Sequence, residues 1–212
     1  MNTLLINAHP CPNDTSYSQK LQDCFIQEFQ KQNSSAKLTV LSLYDSFIPT
    51  LDKKMMIIFE KEAKNIELDE SETKISLRMK ELLKEFKEHK RVVIVLPIHN
   101  FNVSSKLKDY MDNILIARET FKYTSDGSVG LMNDNRKVLL LQSSGAIYTN
   151  NDRYTPLEFS HYYIKEMFCN IMGFNEFDII RVQGTAVSAT NKDEIVQNAF
   201  KEISSKMKDF LS

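Results

Sequence analysis

The six residues Arg91-Val92-Val93-Ile94-Val95-Leu96, closed by Pro97, most restrict what this chain can become. The run is apolar on every face, so it is no half-exposed strand of an antiparallel sheet. It is also far short of the about 20 residues that a membrane-crossing helix requires. A buried central strand of a parallel sheet remains, and the segments around it fit that reading. Leu4-Leu5-Ile6, Leu38 to Leu43, Val138 to Leu141 and Phe177 to Val182 are four more short apolar runs with strand character.

Longer amphipathic stretches separate them. From Ser16 to about Gln32, Leu21, Cys24, Phe25 and Phe29 fall on one helical face. Residues 53–89 are dense in charge and poor in turn formers, and read as helices broken near Asn65. A helix capped by Ser104-Ser105 carries Leu107, Tyr110, Met111, Ile114 and Leu115. Another runs from about Pro156 to Met172 and is ended by Gly173, and the last begins near Asn191. Five strands alternating with helices predict an α/β fold, a doubly wound parallel sheet with helices on both faces. The strand count points to the flavodoxin-like order 2-1-3-4-5, with other doubly wound orders left open by spacing. The 212 residues are read as a single domain, 1–212.

Lys+Arg 27 against Asp+Glu 28 leaves a net charge of −1, without the basic excess expected of a nucleic-acid or anionic-membrane binder. The start of the chain has no basic stretch ahead of an apolar one, and the three cysteines (Cys11, Cys24, Cys169) form no Cys-x-x-Cys pair. A cytoplasmic protein with no membrane partner is expected.

Ligands of doubly wound sheets bind beyond the C-terminal strand ends, where strands one and three diverge. After strand one stands Asn7-Ala8-His9-Pro10-Cys11-Pro12-Asn13-Asp14-Thr15-Ser16-Tyr17-Ser18. It contains neither Gly-x-Gly-x-x-Gly nor a P-loop, so neither a dinucleotide nor a nucleotide triphosphate site is indicated. Its hydroxyls at a helix start suit an anion, although simple capping by Thr15 or Ser16 is the commoner reason for such residues there. After strand three, Pro97-Ile98-His99-Asn100-Phe101-Asn102 offers main-chain N–H groups, amides and apolar bulk to a flat ring; a plain turn is the bland alternative. After strand four, Ser143-Ser144-Gly145-Ala146 is small enough to let backbone approach a ligand, or simply to turn.

Read together, these segments resemble the FMN-dependent NAD(P)H:quinone oxidoreductase and azoreductase family. Leu96-Pro97-Ile98-His99-Asn100-Phe101-Asn102-Val103 to Lys108 is similar to that family's flavin loop, P-M-Y-N-F-x-I-x-x-x-L-K. Thr120-Phe121-Lys122-Tyr123-Thr124 with Gly127 and Gly130-Leu131 is similar to its T-F-x-Y-T-x-x-G-x-x-G-L segment, Ser16-Tyr17-Ser18 to its S-x-S phosphate loop, and Ser143 to Ala146 to its S-R-G-G loop. The resemblance implies a flavodoxin-like homodimer with shared active sites, the 156–172 helix completing the partner's pocket.

It also implies that Ser16, Tyr17 and Ser18, with His9 nearby, hold the FMN phosphate. Pro97, Ile98, His99, Asn100 and Phe101 would run along the isoalloxazine, and Ser143, Ser144, Gly145 and Ala146 would close its other edge. NAD(P)H would deliver a hydride and leave, after which a quinone or azo compound would collect two electrons, a ping-pong reaction. His99 is the candidate for charge stabilisation or proton supply, and Tyr123 for flanking the ring. His99 stands for the usual Tyr, Ser144 for Arg and Ala146 for the second Gly; Ala146 at φ > 0 would be strained.

Competing readings are an NAD(P)H:FMN reductase that releases its flavin and a flavodoxin-type electron carrier. The carrier reading lacks a T-x-T-G-x-T loop and an acidic surface. A receiver-like signalling module would need an Asp where Leu96-Pro97 stand. His9 and His99 lack a third ligand in register, so no metal is expected. His89 is read as solvated or facing the helix end, and the helix bearing His161 as core or subunit contact. Cys11 has no downstream Arg to make it a phosphatase-like nucleophile.

Overall fold

A computed structural model of the chain describes residues 2–11, 15–32 and 36–212; Met1, Pro12 to Asp14 and Asn33 to Ser35 lie outside the described residues. Five parallel strands form the main sheet in the order β2-β1-β3-β6-β7: β1 Thr3–Asn7, β2 Leu38–Ser42, β3 Arg91–Pro97, β6 Lys137–Ser143 and β7 Glu176–Val182. The pattern is the expected flavodoxin-like order. The last two numbers rise because a hairpin, β4 Phe121–Thr124 with β5 Gly127–Gly130, intervenes as a separate two-stranded sheet. Those strands escape a periodicity reading because only Phe121 of β4 is buried, so no apolar alternation marks them.

Side chains alternate across the sheet with a period of two, which builds two cores. Leu4, Ile6, Val92, Ile94, Leu96, Val138 and Leu140 face one way. They meet α3 (Glu70–Glu88), α4 (Ser105–Ile114) and α5 (Phe159–Lys165) with the turn that follows it. Leu5, Val93, Val95, Leu139, Leu141, Ile180 and Val182 face the other way, against α1 (Tyr17–Gln32) and α6 (Lys192–Leu211). Phe86 of α3 has no exposure and packs edge-on to Phe168 at 6.0 Å and flat on Phe174 at 5.9 Å. Fully burying each such side chain contributes about 1.5–3 kcal/mol.

The charged segment divides where expected. α2 (Lys53–Ala63) stops before Asn65, whose φ of 54° ends the helix, and Asp69 opens α3 through a reciprocal capping pair with Glu72. The helix expected from Pro156 starts later. Pro156 sits in a 3₁₀ turn (Thr155–Leu157), Glu158 departs from helical backbone at φ −82°, ψ 79°, and α5 begins at Phe159 before widening into a π turn over Glu166–Ile171. His89 is 5% exposed rather than solvated, its ring bonded to the Glu85 carbonyl and to Thr39 Oγ1. Arg91 is buried at the foot of β3, where its guanidinium donates to the carbonyls of Phe210, Asn135 and Lys90.

The hairpin sits at the N-terminal ends of the strands. Thr120 Oγ1 donates to the Ile114 carbonyl at the end of α4, Lys87 bridges to Glu119, and the Met132 N–H donates to the Met172 carbonyl. Gly130 lies so close to the backbone of Met172 and Gly173 that a Cβ there would overlap it. Gly130→Ala is therefore expected to destabilise the protein by about 2 kcal/mol or more in denaturant melts. An unchanged midpoint would show that the hairpin yields freely.

Candidate active site

The register lines up the C-terminal strand ends. Asn7 pairs with Val95, Pro97 with Ser143, and Ser143 with Val182. The loops that follow β1, β3 and β6 thus leave the sheet at one edge, and hydrogen bonds tie them to each other. The Ala8 N–H donates to the Val95 carbonyl and the Ile98 N–H to that of Ser143. Ser104 caps α4 and also donates from its hydroxyl to the Ala8 carbonyl at 3.2 Å.

In the first loop Asn7 Oδ1 accepts from the His9 N–H, and His9 Nδ1 accepts from the Cys11 N–H at 3.0 Å. With Nδ1 an acceptor, the proton of the neutral ring lies on Nε2, which donates to Ser16 Oγ at 2.9 Å. Ser16 and Ser18 hydroxyls are 3.4 Å apart at the start of the 16-residue α1, whose first-turn N–H groups lack intrahelical partners. His9, Ser16 and Ser18 therefore form one cluster of neutral donors, with the Tyr17 ring half-buried beside it.

The second loop reverses over four residues. His99 and Asn102 exchange two main-chain bonds, His99 N–H to Asn102 O at 3.1 Å and Asn102 N–H to His99 O at 2.9 Å. Asn100 (φ 45°) and Phe101 (φ 67°) are both left-handed, as a mirror-image tight turn demands. His99, Asn100 and Phe101 are exposed at the rim. In the third loop Ser144 Oγ donates to the Ala146 carbonyl at 2.8 Å. A return segment absent from the sequence reading seals that loop, since Ser144 N–H donates to Val182 O, Thr185 N–H to Ser144 O and Ala186 N–H to Gly145 O. Ala146 is not among the residues with positive φ, so the strain considered for it does not arise.

Two hollows adjoin these loops. One of about 390 Å3 runs along Gly145, Ala146, Ile147 and Ala186; the other, about 530 Å3, lies among Tyr148, Phe159, His161, Tyr162 and Arg181. Phe101 meets the Tyr148 ring edge-on at 6.5 Å. At the wall of the second hollow lies a polar knot in which Gln142 and Glu158 are buried and Arg181 is partly exposed. Gln142 Nε2 donates to Glu158 Oε1 at 2.7 Å, Arg181 Nη2 to Glu158 Oε2 at 3.1 Å, and Arg181 Nε to Gln142 Oε1 at 3.2 Å. Gln142, a polar residue closing the apolar run Val138 to Leu141, was the signal in the sequence that could have disclosed it.

Tyr123 is not brought to these loops within the chain. It stands 76% exposed on the hairpin, at the opposite edge of the sheet from His99. His161 is half-buried, 5.4 Å from the Phe177 ring, and Cys11 is exposed and free. No group of three His, Cys, Asp or Glu with metal-binding proximity occurs among the described residues, and no described helix is long and apolar enough to cross a membrane.

The sheet order and the ligand edge define the class: a flavodoxin-like α/β protein. A family model described as a flavodoxin-like fold matches residues 1–207, and the chain belongs to that family. Among curated relatives, an FMN-dependent NADH:quinone oxidoreductase 1 of Bacillus anthracis is 49% identical over 95% of this chain and 91% of its own length. Another of that name from Lactiplantibacillus plantarum is 48% identical over 93% of each chain. A crystal structure of an FMN-dependent NADH-azoreductase from Bacillus anthracis in complex with FMN superposes with a TM-score of 0.95. It is 46% identical and covers 100% of this chain and 99% of that one.

Burial, with His99 adding to it, holds His9 below the ordinary imidazole range. A depressed histidine binds its proton more weakly in the folded than in the unfolded state. Stability present above the unfolded value of about 6.5 is therefore lost as pH falls through it. Flavin-free protein is expected to melt at lower denaturant at about pH 5.5 than at about pH 7.5, and His9→Asn to narrow the gap. Equal gaps in both proteins would assign the slope to other groups.

Proposed function

We propose that this chain is an FMN-dependent oxidoreductase that carries two electrons from NADH to quinones and azo compounds. The observation that carries the reading is the meeting of three cross-bonded loops at one sheet edge, in a chain about half identical to enzymes named for that activity. The donor chemistry fits FMN. Ser16, Ser18, His9 and the first-turn N–H groups of α1, with Tyr17 alongside, offer a phosphate neutral donors and the positive end of a helix dipole. Pro97, Ile98, His99, Asn100 and Phe101 present a flat ring with apolar surface and fixed main-chain groups, and Ser143, Ser144, Gly145 and Ala146 border its other edge.

When bound, FMN supplies reversible two-electron chemistry, taking a hydride from NADH and returning two electrons to an acceptor. The protein's part is to hold and orient. The 97–101 loop keeps its N–H groups pointed by the His99–Asn102 pairing, so they stabilise developing negative charge without rearranging. His99, exposed at the rim, is placed to stabilise charge or hand over a proton. Donor and acceptor use the same open face in turn, which gives a ping-pong reaction. Residues 1–212 act as one FMN-binding domain in the cytoplasm.

We place the chain in a homodimer whose sites are shared. Tyr123 lies at the far edge from its own His99, so it flanks a flavin only in a second copy, and the exposed Phe159 and Tyr162 of α5 suit the same contact. Light scattering of the purified protein is expected to give twice the mass of 24.6 kDa; a monomer at working concentration would dismiss shared sites.

The direct test is the visible spectrum. The purified protein should bind FMN, bleach on anaerobic addition of NADH and recover when a quinone is added; a protein that never binds FMN would remove the assignment. With FMN saturating, His99→Ala is expected to lower turnover roughly tenfold or more. An unchanged rate would acquit His99.

A further inference from the structure

Phe101 holds a conformation that a bulky side chain rarely adopts. At φ 67° its Cβ crowds its own carbonyl, and Asn100 before it is left-handed as well. Such a pair persists only where the surroundings over-determine it. The His99–Asn102 bonds close the turn from within. From outside, the Tyr148 ring meets that of Phe101, and the Phe159 N–H grips its backbone, donating to the Phe101 carbonyl at 3.0 Å.

Phe159 is the first residue of α5 and follows Glu158 directly. The Glu158 side chain is anchored on both oxygens, by Gln142 at 2.7 Å and Arg181 at 3.1 Å, and Gln142 also donates to Ser160 Oγ at 3.2 Å. Gln142 and Ser160 have no exposure, and Gln142 and Arg181 are paired neighbours on β6 and β7. The two strand ends therefore fix the turn on either side of Phe159, and that turn fixes Phe101.

We propose that Gln142, Glu158 and Arg181 are positioning residues for the flavin loop, acting through the main-chain N–H of Phe159. The proposal rests on the reading that residues 97–101 lie along the isoalloxazine. Within that reading, the triad sets the shape of the loop and so the affinity and reduction potential of FMN, without touching it.

The N–H can be removed alone. Proline is tolerated at the first position of a helix, where its φ is already suitable, and Glu158 before it is outside the α region. Phe159→Ala keeps the N–H while deleting the ring; Phe159→Pro deletes both. With FMN as the probe, Phe159→Pro is expected to raise the dissociation constant about tenfold over Phe159→Ala, the scale of one lost clamp. It should also shift the midpoint potential and the visible circular dichroism of bound FMN. Equal values for the two variants would overturn the clamp.

The triad is tested by exchange, which also decides the matter should Phe159→Pro fail to fold. Glu158→Gln is expected to weaken FMN binding in the same direction, and the double variant Gln142→Glu/Glu158→Gln, which restores one carboxylate to Arg181, to recover it. A double variant no better than Glu158→Gln would overturn the triad's role. If the unaltered protein binds no FMN, the site reading fails and takes this proposal with it. If it binds FMN and the variants match it, only the proposal fails.

Discussion

Everything in this molecule depends on β3 and β6 being covered on both faces. A strand so enclosed has no free side on which to display a polar group, so its chemistry is pushed to its ends. The two ends then divide the work. The N-terminal edge is tied down by Arg91, Arg136 and Lys137, whose charged groups bond main-chain carbonyls and local carboxylates. The C-terminal edge carries hydroxyls and amides above the Gln142–Glu158–Arg181 knot, and there the three loops converge.

The loops are stiffened by different means. The first relies on side chains, Asn7 and His9 each accepting a main-chain N–H. The second relies on a mirror-image turn gripped from outside. The third is bonded to the return segment after β7, where Gly184 (φ 76°) keeps clear of Ile147 because it has no Cβ. Loops braced by different means and bonded to one another above a single sheet edge hold their polar groups in fixed positions.

Much of this was open to a reader of residues. The unbroken apolar run at 92–96 and the matching runs around it define a parallel sheet, and strand order then says which loops to inspect. That leads to the loops containing Ser16 and Ser18, His99 to Phe101 and Ser143 to Ala146, while their assignment to a flavin, and the place of His9 beside its phosphate, come from the family resemblance. What escapes has physical causes. The hairpin is too short and too exposed to leave a periodic trace. The late start of α5 reflects Glu158 turning its carboxylate inward to partners 16 and 23 residues away, a contact that local propensity cannot register. His89 looks like a surface residue of a charged helix, and is buried because Thr39 of a neighbouring strand receives it.

Arg91 has a consequence for how the chain assembles. Its guanidinium, at the foot of the central strand, donates from Nε and Nη1 to carbonyls that include those at 135 and 210. During synthesis, β3 emerges more than a hundred residues before the second of these. Until α6 has docked, the foot of the central strand holds a cation that lacks one of its carbonyl partners, and burying it in that condition is costly. Burial of the foot of β3 and docking of α6 are therefore coupled.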